Sequence, residues 1–345
     1  MSERKGARAR VTLADVAKLA CVDRSVVSRV VNNDDRLVIK KETRARVLDA
    51  IRELQYHPNA AARSLRTAQS GTFGLFIPDF ANPIYAEIIK GAEQAAMEQG
   101  CLLLTGTAFE DRPERYVEML ASGRVEGLIL AADRLAPATI EAMIATGRPV
   151  VSVNQTIPGV RRSIVADDER AAGIAVRHLV ELGHERIGHI RGPASSDTAK
   201  RRLGGYVQAL HAAGLDYDPD LVVGAGYTIE TGAEAMRELL AATDPPTAVL
   251  VANVASAMGA LTAARAGGVR VPDDMSVAAI HDIPLAANLW PALTTVRMPL
   301  PEMGRAGVLA LIGEDAYLEG NTVVRDPTQL IVRESTGAPA DHRTR

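Results

Sequence analysis

In the segment DRSVVSRVVNN, Arg24 and Ser25 follow Asp23, and Arg29 stands about one helical turn further on. An arginine at the start of a helix can grip guanine O6 and N7 with two hydrogen bonds, whereas a serine is a less selective donor and acceptor. Thr12, Ser28 and Asn32 are of the type that holds phosphate oxygens, which positions a protein on DNA without reading a sequence. The alternative for all of them is a solvated polar face on an ordinary helical pair, with Arg29 bound to Asp15 or Asp23. A second candidate is Arg202 in TAKRRLGGYVQAL, just after an apolar run and near a helix start, where it suits an anionic or hydroxyl-rich ligand. Other chemistries find little support. His184 and His189 are five residues apart on a helix-to-strand passage and do not converge as an i, i+4 pair on a helix would. GAGYT lacks the third glycine of a dinucleotide fingerprint, and neither a phosphate-loop Gly-Lys-Ser/Thr nor Gly-x-Ser-x-Gly occurs. No catalytic residue, metal or cofactor is predicted, and an enzyme is not expected.

The elements that must hold these side chains can be read from periodicity. Thr12 with Asp15 three residues later is a capping-box pattern, followed by Leu13, Val16, Ala17 and Ala20 at helical spacing. Asp23 can cap a second helix carrying Val26, Val27, Val30 and Val31. Two short helices with a three- or four-residue turn make a helix-turn-helix, whose second helix enters the major groove. A third helix, roughly Lys41 to Leu54, places Val47, Leu48, Ile51 and Leu54 on one face to close a small core, and it ends near Tyr56, before Pro58. Beyond residue 69 the pattern changes to short apolar runs alternating with amphipathic helices. FGLFIPDF, CLLLTGTAF, VEGLILAA and RPVVSVN form one series; SIVADD, RIGHIRGP, LVVGAGY, AVLVAN and SVAAIHD form a second. This alternation calls for parallel sheets covered on both faces, in two lobes, with a ligand crevice at the carboxyl ends of the strands.

Composition agrees with that division. The 345 residues exceed one ordinary compact core, and with 47% hydrophobic but 3% aromatic residues the cores must be filled by Ala, Val, Leu and Ile. Net charge is -3, yet residues 1–69 carry 15 Lys/Arg against 8 Asp/Glu, leaving 24 against 34 for the remainder. A basic head on an acidic body suggests that the head meets a polyanion. MSERKGARAR has no apolar core of a signal peptide, no run is long enough to span a bilayer, and Cys21 and Cys101 make no disulfide framework. A cytoplasmic protein without a membrane partner is expected.

VTLADVAKLA, SVVSRVVN and LQYHPNAAARSL resemble, in order and nearly in register, the head and hinge of the lactose/galactose repressor (LacI/GalR) family. The resemblance continues to about Ser335 through IPDFANPIYAEIIKGAEQAA, RVEGLILAA, HLVELGHERIGHIRGP, AVLVAN and PALTTVRMP. It implies an α/β fold with an N-terminal helix-turn-helix head and a two-lobed, periplasmic-binding-protein-like domain of parallel sheets. The expected organisation is a DNA-binding head over 1–57, a hinge over 58–69 and an effector-binding and dimerisation domain over 70–337. Its lobes would comprise about 72–165 with 298–327, and about 166–297 with 328–336. The implied function is a homodimeric transcriptional regulator, a repressor, whose affinity for double-stranded operator DNA is set by a small molecule held between the lobes. A stand-alone sugar-binding protein of the periplasmic type shares the architecture, but would need an export signal and no DNA-binding head.

Carried over residue by residue, the resemblance assigns Thr12, Arg24, Ser25, Ser28, Arg29 and Asn32 to DNA. Asn59 caps a hinge helix running to Arg66, and Leu65 is wedged into the minor groove; on residues alone Leu65 reads as a packed leucine. Arg202 becomes the principal effector contact, with Ile84, Tyr85, Ser196, Thr198, Tyr227, Asn253 and Asp282 around it. Four features depart from the family pattern. Cys21 stands where a turn glycine is usual, NNDDRLVIKKET is about two residues longer than in the lactose repressor, Val254 replaces an aspartate that accepts ligand hydrogen bonds, and His281 precedes Asp282 where two acidic or amide residues are usual.

Overall fold

The computed structural model describes residues 11–32, 34, 36–56, 70–107, 112–131, 135–313 and 319–340. The chain divides into two compact units, Met1–Ser70 and Gly71–Arg345.

In the first unit α1 (Leu13–Ala20), α2 (Arg24–Val31) and α3 (Lys41–Glu53) close one apolar cluster. The Thr12 backbone N–H and hydroxyl both donate to Asp15, at 2.8 and 2.7 Å, so the expected capping box starts α1. Cys21 ends α1 in the left-handed region (φ 51°, ψ 51°), and the Val22 N–H donates back to the Ala17 carbonyl at 3.1 Å. Asp23 then accepts from the Ser25 N–H at 2.7 Å and opens α2. Val16, Val27 and Val47 have no exposed surface. Leu48, expected on the core face of α3, is instead 45% exposed. The buried stripe is Val47, Ala50, Ile51 and Leu54, a single i, i+3, i+4, i+7 line, and Leu48 lies about 100° away from Val47 around the helix.

The second unit contains two six-stranded sheets. The first is built from β1 (Thr72–Ile77), β2 (Leu102–Thr107), β3 (Leu128–Leu130), β4 (Val150–Val153), β5 (Arg162–Ala166) and β11 (Gly320–Val324), in the order β11-β5-β4-β3-β1-β2, all parallel. The second contains β6 (Ile187–Ile190), β7 (Val222–Val223), β8 (Ala248–Val251), β9 (Ser276–Ile280), β10 (Thr294–Arg297) and β12 (Gln329–Ile331), in the order β12-β10-β9-β8-β6-β7. The run SIVADD, grouped above with the second series, forms β5 of the first sheet, and the chain crosses only after it. It crosses again after β10 and after β11. β10 runs toward the first lobe and β12 returns from it, so this one pair is antiparallel within an otherwise parallel sheet.

Helices cover both sheets: α4 (Ile84–Glu98), α5 (Glu114–Ala121), α6 (Pro137–Ala145) and α11 (Leu300–Leu309) on the first, and α7 (Asp168–Glu181), α8 (Asp197–Ala212), α9 (Ile229–Leu240) and α10 (Val254–Ala266) on the second. With few aromatic residues to fill gaps, helices approach closely through glycine. A Cβ on Gly304 of α11 would lie 1.9 Å from the Ile88 carbonyl oxygen of α4, and one on Gly259 of α10 would lie 1.8 Å from that of Ile229 at the start of α9. Among the described residues, no helix is long and apolar enough to cross a membrane.

Candidate functional site

The head presents its polar side chains on the outer surface of α2. Arg24, Ser25 and Arg29 are exposed, while Val27 and Val30 on the opposite face are buried. Arg29 pairs with neither Asp15 nor Asp23; its Nε lies 3.6 Å from Asp34 across the following turn, with both groups substantially exposed. Such a pair is worth little and yields readily to a phosphate. Thr12 is the N-cap of α1, and the Asn32 side chain donates to the Ser28 carbonyl at the end of α2, so these two order helix ends as well as facing solvent. Asn59 and Leu65 lie outside the described residues.

In the α/β unit a pocket lies between the two sheets at the carboxyl ends of their strands. Asn82, Ile84 and Tyr85 follow β1; Asn154 and Gln155 follow β4; Ser196, Thr198 and Arg202 belong to the start of α8 after β6. Tyr227, Asn253 and His281 follow β7, β8 and β9 and complete the lining. Seven of the eight expected residues thus meet in one wall. Asp282 does not: its carboxylate is held by Thr295, Arg297 and Arg333 at 2.8, 2.8 and 2.6 Å. Burial opposes its charge, but those donors outweigh burial and lower its pKa. His281, one residue earlier, takes the lining position, just past the end of β9. Val254 is fully buried in the core of the second lobe and is not part of the lining.

Arg202 is already committed within the chain. It is 2% exposed, its Nε donates to Asp168 Oδ1 at 2.8 Å, Nη1 donates to the Ala252 carbonyl, and Nη2 donates to His281 Nε2 at 3.0 Å. Asp168, 1% exposed, also binds Arg201 at 2.7 Å. Burial opposes the charge of Arg201, yet Asp168 and Asp197 outweigh it and raise its pKa. Across the lobes, Thr156 donates twice to Asp197, at 3.1 and 2.6 Å, and the Asn154 carbonyl accepts from Thr198 and Arg201. Asn154 and His281 both have φ of 75°, in the left-handed region that residues with a Cβ enter uncommonly and asparagine tolerates best. Gly192 leaves room for Tyr227: a Cβ there would fall 2.2 Å from the phenol ring. The Tyr227 hydroxyl in turn lies 3.1 Å from Ser196 Oγ.

Sequence reasoning missed Asn82, Asn154 and Gln155 as lining residues and Asp168 as the counterion. Asn154 and Gln155 stand directly after VVSV, a strand-end position that was a usable signal; the pairing of Asp168 with a residue 34 positions away was not.

The profile described as bacterial regulatory proteins of the lacI family matches residues 12–59, the segment that forms the three-helix head. A periplasmic binding protein-like domain profile matches residues 176–336. The chain is 35% identical over 335 residues to the HTH-type transcriptional repressor CytR of Escherichia coli (strain K12), covering 95% of this chain and 96% of that protein. This chain belongs to the lacI family of bacterial regulatory proteins. Like its relatives it is a DNA-binding transcriptional regulator. Among solved lacI-family structures, the lac repressor dimer bound to operator and the anti-inducer ONPF matches with a TM-score of 0.83 at 29% identity, covering 96% of this chain and all of that one. The regulator CelR in complex with cellobiose matches with a TM-score of 0.72 at 34% identity, over 94% of this chain and all of that one. The lacI-family relatives are named as regulators, not enzymes.

Proposed function

We propose that this lacI-family protein is a cytoplasmic homodimeric repressor whose hold on operator DNA is set by a small molecule bound in the cavity between the lobes. The observation that carries the reading is the cavity wall, where seven residues far apart in sequence converge at strand carboxyl ends. The bound ligands of CelR and of the lac repressor support a small effector for this chain too. In the head, Arg24, Ser25 and Arg29 face base edges, and Thr12, Ser28 and Asn32 hold phosphates. Residues 1–57 act as the head, 58–69 as the hinge with Asn59 and Leu65 at the minor groove, and 70–337 as the sensing and dimerising domain. No cofactor or catalytic step is invoked.

A dimer is supported by the edge strand β2, where Leu102 is 70% and Leu104 is 44% exposed, next to Met97 of α4 at 68%. An unpaired apolar edge of this kind needs a cover. Selection of bound duplexes from random DNA, followed by a metabolite screen for compounds that shift binding to the selected site, tests the whole reading. A roughly palindromic site is expected, with affinity falling steeply as salt rises. Arg24→Ala should relax preference at one base pair per half-site by about 1–3 kcal/mol. Equal binding to selected and scrambled duplex in physiological salt would refute the DNA assignment. Leu102→Glu should yield a monomer in sedimentation equilibrium.

A further inference from the structure

The cavity carries no spare charge. Among its described lining residues Arg202 alone is ionised, and Asp168 neutralises it 2.8 Å away. The nearby carboxylates of Asp197 and Asp282 are likewise bound to arginines, so a charged ligand would have to be buried without a counterion.

His281 supplies the complementary feature. A guanidinium only donates, so the contact from Arg202 Nη2 requires a lone pair on His281 Nε2. The neutral ring must then carry its proton on Nδ1. That atom is buried and has no hydrogen-bond partner in the described chain, although His281 itself is 1% exposed and lines the cavity. A buried donor left unmatched is rare and calls for an acceptor, from water or from a ligand. The surroundings also decide which acceptor fits. Asp168 and the Ala252 carbonyl are occupied by Arg202, and only three of the five N–H groups of that guanidinium have partners here. The corner is rich in donors. A carbonyl oxygen accepts there without bringing a hydrogen of its own, whereas a hydroxyl must also place its hydrogen on an acceptor elsewhere in the lining.

We propose that the cavity selects an uncharged ligand bearing a carbonyl oxygen, which accepts a hydrogen bond from His281 Nδ1–H, and that His281 determines this specificity. The proposal rests on the reading of the cavity as the effector site. Burial and the adjacent Arg202 both hold the imidazole neutral, in keeping with a fixed donor.

The test uses three probes with one five-carbon skeleton, titrated calorimetrically into the full chain: D-ribono-1,4-lactone (neutral, carbonyl), D-ribose (neutral, hydroxyls only) and D-ribonate (anionic). Wild type should bind the lactone about tenfold or more tighter than ribose, and ribonate weakest. His281→Asn, which tolerates positive φ and keeps an N–H near the Nδ1 position, should preserve that order. His281→Asp, which puts an acceptor oxygen there, should abolish the lactone's advantage. Nitrogen NMR of wild type against His281→Asn identifies the His281 Nδ1 signal, which should shift with lactone and not with ribose; this holds even if His281→Asp does not fold. Ribonate or ribose binding as tightly as the lactone, or a preference unchanged in His281→Asp, would overturn the assignment of His281. In that case a loss of all binding in Tyr227→Ala would still uphold the cavity as a site. No binding of any probe at millimolar concentration would count against both.

Discussion

At the scale of single residues, the largest departure from expectation is Arg202. A lone arginine at a strand end reads as a ligand-binding cation, but here it is one half of a buried ion pair with Asp168 and also fixes His281. Removing one member of such a pair typically costs about 3–5 kcal/mol. Arg202→Ala is therefore expected to lower stability by an amount of that order, moderated because Arg201 still binds Asp168, and chemical denaturation would measure it. A loss of ligand response in that variant would report folding as much as binding. Gly192→Ala is the cleaner probe. The added methyl would overlap the Tyr227 ring and force it toward the cavity, so ligand affinity should fall about tenfold or more while operator binding is kept. Unaltered ligand affinity in Gly192→Ala would show that Tyr227 moves without consequence.

At the scale of elements, the turn of the helix-turn-helix depends on a residue that does not suit it. Cys21 sits at φ 51°, where a residue with a Cβ is strained by about 1–2 kcal/mol. Cys21→Gly relieves the strain but adds chain entropy to the unfolded state, so a net gain of about 0.5–1 kcal/mol in head stability is expected from urea unfolding. A loss on this substitution would mean that the Cβ and Sγ contacts outweigh the backbone. The three head helices and most strands were legible because their spacing of apolar residues is a local signal. The stripe of α3 was misjudged because Val47 and Leu48 are adjacent and equally apolar, and only packing against α1 decides which one turns inward. SIVADD reads like any buried strand, and nothing within it says to which sheet it pairs. The cavity wall was readable wherever a polar residue directly follows a strand. The engagement of Asp282 by Arg297 and Arg333 was not, since β10 and β12 meet it only in the folded lobe.

At the scale of the whole molecule, the α/β unit buries several imidazoles, and this sets how its stability answers to pH. Burial lowers the pKa of His178, His184 and His281 and takes His189 from 6.5 to about 4. His189 has no exposed surface, stacks on Tyr206 at 5.1 Å, and makes its one hydrogen bond from Nδ1, to the Leu250 carbonyl. A proton added to this ring in the folded state has no acceptor at Nε2. Because the folded pKa lies below the unfolded one, the unfolded chain binds more protons in this range. The contribution is fully present above about pH 6.5 and is lost as pH falls toward 4. For His189 alone the loss at pH 4 is about 3 kcal/mol, a large share of the 5–15 kcal/mol typical of a folded domain. Asp197 and Asp282 also have lowered pKa values, but their contribution persists above the ordinary carboxylate value of 3.8 and fails only at more acid pH. The pKa values of Glu98, Glu114 and Glu230 are lowered as well, and their contributions begin to fail near the ordinary value of 4.5, so the interval from 6.5 to about 5 isolates the histidines. Calorimetric melts of the full chain across it should show the transition of the α/β unit falling steadily, and His189→Phe, which keeps the ring against Tyr206, should flatten the decline while costing stability at neutral pH through the lost hydrogen bond from Nδ1 to the Leu250 carbonyl. A transition temperature independent of pH between 7 and 4.5 would contradict this account of the buried layer.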